Sequence, residues 1–176
     1  MSTYLSIHKT GLLLILTLNI SFAANATHPE KLINKAEKLA FKNFKDTEII
    51  KEPIYISPSE YYKVKTDTVF RLKQKDGELM GYLVLSSAMG RFEEFDFMIV
   101  YNTDLTMTVL NILVYRSDFG YQVSTRGWLK QFLDNPVGTA YTYGQNIDAI
   151  SGATFSGKSL TDNLNRLNIM ISSYTE

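Results

Sequence analysis

Val69-Phe70-Arg71-Leu72-Lys73-Gln74 and Leu79-Met80-Gly81-Tyr82-Leu83-Val84-Leu85 flank the stretch Lys75-Asp76-Gly77-Glu78. Runs rich in β-branched and aromatic residues, joined through Asp-Gly, read as a hairpin, because Gly supplies the positive φ of a tight turn. The pattern repeats downstream, where Phe95–Tyr101 and Thr106–Tyr115 flank Asn102-Thr103-Asp104. Connections this short require antiparallel pairing. Phe95, Phe97, Ile99 and Tyr101 alternate with polar or smaller residues, which predicts a half-buried strand. Period-two patterning begins near residue 47.

Helical periodicity brackets these strands. Leu32, Ile33, Ala36, Leu39, Ala40 and Phe44 recur at helical spacing after Thr27-His28-Pro29-Glu30, which has capping-box spacing. This predicts an amphipathic helix over 28–45, its apolar stripe on the core and Lys35, Lys38, Lys42 and Lys45 on a solvated face. Arg126–Leu133 reads as a short helix carrying Trp128, Leu129 and Phe132, stopped by Asp134-Asn135-Pro136. Leu160, Leu164, Leu167 and Ile171 mark one face of a final helix over 155–172. The fold expected is therefore α+β: an antiparallel sheet of hairpins with an N-terminal and a C-terminal helix packed on it. No repeats or linkers divide the chain, and its 176 residues suit one domain.

His8, Lys9, the Leu/Ile-rich run Gly11–Ile20 and Ala24-Asn25-Ala26 together read as a cleaved signal peptide over 1–26. A spanning anchor needs about 18 or more apolar residues, and Asn19 and Ser21 interrupt the run earlier. The domain then covers 27–176. Eighteen basic and eighteen acidic side chains balance, and loss of Lys9 leaves one excess acid. That balance argues against a nucleic-acid surface. The chain has no Cys, which excludes thiolate nucleophiles and thiol redox chemistry. Its two histidines, His8 and His28, lie at the N-terminal end, which argues against His-based catalysis in the body of the domain. Glu93, Glu94 and Asp96 read as exposed acids ahead of a strand.

The chemistry concentrates in Asp148-Ala149-Ile150-Ser151-Gly152-Ala153-Thr154-Phe155-Ser156, just before the final helix. A helix start offers unpaired N–H groups and the positive end of the dipole, which together suit a phosphate. Gly152 allows a conformation or approach that a side chain would block, and Ala153 keeps the surface thin. Ser151, Thr154 and Ser156 offer hydroxyls. An ordinary turn in which Thr154 or Ser156 caps the helix accounts for the same residues.

Asp148 through Thr154 resemble, in all seven places, the signature of the FMN-binding domain found in the C subunit of sodium-pumping NADH:quinone reductase and the G subunit of Rnf complexes. Ser156 falls where many members carry a further Ser or Thr. The likeness extends more weakly over residues 68–172. Trp128-Leu129-Lys130-Gln131-Phe132 is similar to the tryptophan-containing helix before the flavin site. Ser117-Asp118-Phe119-Gly120-Tyr121 stands where members have a glycine-containing loop, and matches it only around Gly120.

The resemblance implies FMN carried as a phosphoester on Thr154. A separate magnesium-dependent flavin transferase would move it from FAD with release of AMP, and Asp148 would belong to that enzyme's recognition sequence; a plain loop acid is the other reading. The phosphate would rest on N–H groups around Ala153–Ser156, with Lys158 nearby, and Ser151 and Gly152 complete the cofactor-binding set. Trp128 and Tyr121 are the candidate ring surface, with Tyr141 and Tyr143 as further neighbours; core packing is the competing role for Trp128. The implied protein is an exported, periplasmic electron carrier between periplasmic or membrane redox partners. Two alternatives remain: a flavin-free secreted binding or assembly module of the same fold, and a subunit of a periplasmic flavin reductase.

Overall fold

A computed structural model describes residues 28–44, 48–54 and 67–173. The proposed signal peptide, Thr27 of the capping box, Lys45 and the strand onset at residue 47 lie outside the described residues. Chain order is α1 (Glu30–Phe41), β1 (Ile49–Ile54), β2 (Thr68–Gln74), β3 (Leu79–Met89), β4 (Glu94–Tyr101), β5 (Met107–Val114), α2 (Arg126–Leu129) and α3 (Thr154–Ser172). Short 3₁₀ turns at Tyr121–Ser124 and Lys130–Phe132 flank α2. The fold is α+β.

The strands form one antiparallel sheet in sequence order, β1-β2-β3-β4-β5. The hairpin expected at Lys75–Glu78 pairs Val69 with Val84 and Phe70 with Leu83. β3 runs on to Met89, four residues past its expected end, because Ser86, Ser87, Ala88 and Met89 pair with Phe97, Asp96, Phe95 and Glu94 of β4. Pro53 sits in β1, an edge strand, where a missing N–H is tolerated.

The sheet is covered on both faces, which corrects the half-buried reading of β4. Phe95, Phe97, Ile99 and Tyr101 join the α3-side core, whereas Met98 and Val100 join the core under α1. Asp96 is buried too and pairs with Arg116, so it is not one of a set of exposed acids. Leu160, Leu164, Leu167 and Ile171 are fully buried along α3. Each such side chain contributes about 1.5–3 kcal/mol by leaving water.

Helix ends differ in detail from the sequence pattern. α1 is shorter than 28–45: Pro29 is its N-cap residue, and turns through Asn43 and Phe44 close it after Phe41. Glu30 is thus the first helical residue and not the third, so it does not complete a capping box. The segment expected as one helix over 126–133 is α2 followed by the 3₁₀ turn, and Leu133 is already extended. Among the described residues no helix is long and apolar enough to cross a membrane.

Candidate functional site

Thr154 is the first residue of α3, a helix of 19 residues. Its N-cap is Ala153, and no side chain caps the end. Neither Thr154 nor Ser156 acts as a cap, contrary to the ordinary-turn reading. No acid occupies the first turn, so neither a side-chain cap nor a local carboxylate answers the electropositive start. Thr154, Ser151 and Gly152 are exposed, whereas Ala153 is buried.

Four segments hold this end in place. Below it, Trp128 is buried against Phe132 and donates its indole N–H to the Asp148 carbonyl at 2.8 Å. The Asp148 N–H donates to Gln131 Oε1 at 2.9 Å. The following loop is pinned by Tyr143, whose hydroxyl accepts from the Ile150 N–H at 2.8 Å. A Cβ at Gly157 would stand 2.5 Å from the Tyr143 ring, so glycine there seats the ring against the helix. From β3, the Met89 N–H donates to Ser159 Oγ at 2.9 Å.

The fourth tie comes from beyond β5. Tyr115 donates its hydroxyl proton to the Phe119 carbonyl and lies 2.8 Å from Ser156 Oγ. A phenol has one proton, so the Ser156 hydroxyl donates to Tyr115. Gly120, at φ +84°, passes so close that a Cβ would meet Tyr115 Oη at 2.7 Å and Ser156 Oγ at 2.8 Å. The Ser156 hydroxyl is thereby buried as a brace.

Above the helix start a cavity of about 970 Å³ opens, lined by Gly120, Gly152, Ala153, Thr154 and Ser156 on one side. Met89, Phe119 and Phe155 give it apolar surface, Arg91 and Lys158 bring positive charge, and Asp162 brings one carboxylate from the next turns of α3. Phe119 and Phe155 are 59% and 60% exposed, so both rings present a bare face at the mouth. Phe92 meets Phe119 edge-on at 6.1 Å, and the Arg91 guanidinium sits 5.3 Å from the Phe92 ring centre. A Cβ at Gly152 would stand 3.8 Å from Gln122 Nε2, and the buried Gln122 Oε1 has no hydrogen-bond partner.

The expected residues thus separate into two groups. Gly152, Ala153, Thr154, Ser156 and Lys158 line the cavity. Ser151, Asp148, Trp128 and Tyr121 do not line it; Trp128 and Asp148 act behind the loop, and Tyr121 projects into solvent. Tyr141 is buried beside Phe132, and burial raises its phenol pKa. Sequence reasoning did not single out Met89, Arg91, Phe155 or Gln122. The one available signal was Phe155, an aromatic directly after Thr154 at a helix start. Among the described residues no cluster of carboxylates and histidines is placed to hold a metal ion.

No protein-family model matches the chain, and no curated protein matches it. The functional reading therefore rests on the geometry of this site together with the resemblance carried by Asp148–Thr154.

Proposed function

We propose that the protein is an exported electron-transfer protein that carries FMN phosphoester-linked to Thr154. The observation that supports this is the exposed Thr154 at an uncapped helix start, facing a cavity with both aromatic and cationic walls. Its volume falls in the ~300–1,000 Å³ range of small-molecule sites.

The residues present suit the group. Free N–H groups in the first turn of α3, with Lys158 and Arg91, favour a phosphate. Phe119, Phe155 and Met89 offer the flat apolar surface that an isoalloxazine needs, in place of Trp128 and Tyr121. FMN, when bound, supplies one- and two-electron transfer; the protein supplies tethering, orientation and shielding.

A Thr hydroxyl needs activation to become a nucleophile. His28 lies on the α1 face of the sheet, remote from Thr154, which favours attachment by a separate flavin transferase. With the flavin held by a tether, the protein in this reading is a carrier. Its redox partners would be periplasmic or membrane proteins.

Export of the protein beside a flavin transferase, followed by a denaturing gel under ultraviolet light, tests the reading. The wild-type band should fluoresce yellow and gain the mass of an FMN phosphoester, and Thr154→Ala should lose both. A dark, unmodified wild-type band would overturn it and favour the flavin-free module. N-terminal sequencing of the exported protein should begin near Ala24 or Thr27; an intact Met1 refutes cleavage.

A further inference from the structure

A groove of about 1080 Å³ runs along α1 on the face of the sheet opposite Thr154. Lys31, Lys35, Lys38 and Lys42 line it from the helix. Their spacing, i, i+4, i+7 and i+11, confines them to a sector about 60° wide. Arg116 stands at the groove as well, already paired with the buried Asp96.

The lysine stripe is an electrostatic liability in the isolated protein. Neighbours three and four residues apart on a helix repel when alike in charge. Lys31, in the first turn, also opposes the helix dipole. Lys35 donates to the Leu113 carbonyl. Lys31, Lys38 and Lys42 have no ion pair among the described residues, although other lysines do. Glu30 is the one exposed acid in the groove lining, and the dipole favours Lys38 and Lys42 at the far end of α1, so the stripe keeps a net positive charge.

We propose that this groove docks an extended acidic segment of a partner protein. Lys31 to Lys42 spans about 16 Å of helix, which an extended chain covers in about five residues. Carboxylates on one side of such a segment would meet the stripe in register. A membrane surface fits less well. The groove is concave, and none of the exposed large apolar side chains, such as Ile50, Phe92 or Ile169, lies on α1 to enter a bilayer. The inference is independent of flavin attachment.

A fluorescein-labelled decapeptide of alternating Glu and Ser serves as the probe, with anisotropy read on the full-length chain. Binding is expected at low salt and should weaken as salt screens the contacts. The Lys31→Gln/Lys38→Gln/Lys42→Gln variant should bind about tenfold more weakly. A control of equal net charge, Lys75→Gln/Arg126→Gln/Lys130→Gln, should stay within about twofold of wild type. The reversed variant Lys31→Glu/Lys38→Glu/Lys42→Glu should instead bind a Lys/Ser decapeptide. Absence of peptide binding, equal losses in the two Gln variants, or failure of the charge swap would overturn the proposal. So would binding to phosphatidylglycerol vesicles with none to the peptide.

Discussion

α1 and α3 begin on opposite faces of the same sheet, and neither has a side-chain cap. Their first turns nonetheless present opposite chemistry. α1 opens on Pro29, with Glu30 answering the dipole and His28 buried just ahead. α3 opens on Ala153 and Thr154 with no acid in its first turn, a cavity above it and Lys158 beside it. Both starts border open space, but one is answered by its own carboxylate and the other is not. An uncapped helix start suits an anion only where no acid in its own first turn already answers the dipole.

The α3 start depends on its braces, so removing one should harm that side more than any change at α1. The largest effect is expected for Trp128→Ala, which empties a buried site under the Asp148 loop and costs about 3–5 kcal/mol. Denaturant unfolding would measure it, and a loss below about 1 kcal/mol would show that the loop stands without its prop.

Tyr115→Phe tests the hydroxyl brace separately from packing. The ring remains against Phe95, but Ser156 Oγ and the Phe119 carbonyl each lose a partner. A loss of about 1–2 kcal/mol is expected. Faster amide exchange should be confined to 117–120 and the first turn of α3; uniform acceleration across the sheet would argue against a local brace.

The smallest effect belongs to the α1 end. The His28 Nδ1 contacts Thr68 Oγ1 at 3.0 Å, while Nε2 is buried without a partner. Burial lowers the His28 pKa, opposed by Asp96 and Asp67 and reinforced by Arg116. The folded state therefore prefers neutral imidazole. Its contribution is complete above the unfolded value of about 6.5 and is lost as pH falls through and below it. Thermal melts of wild type should decline over that window more steeply than those of His28→Gln. Parallel curves would show that His28 carries no charge-linked stability.

Legibility in the sequence followed the range of the interactions. Asp76-Gly77 and Asn102–Asp104 betrayed their hairpins because turn chemistry is local. Leu160, Leu164, Leu167 and Ile171 betrayed α3 through period alone. The two-sided burial of β4 was hidden, since Met98 and Val100 need a second helix layer before their burial has meaning. Ser86-Ser87-Ala88 carries little strand signal of its own and is extended by pairing with β4. At the site, Thr154 and Gly152 were visible as a local pattern. The brace between Tyr115 and Ser156, 41 residues apart, was not, nor was the placing of Phe119 and Phe155 on one cavity.

The position of α3 as the last described element has a consequence for timing. As the chain emerges from the ribosome, α1 and the five described strands precede the helix that floors the cavity. Until α3 arrives, Phe95, Phe97 and Ile99 form a bare apolar face, the kind of surface that holding chaperones grip. The cavity cannot exist on a chain made only as far as β5. Any occupant would come after the sheet is covered, so occupancy would mark only chains in which α3 has packed on the strands.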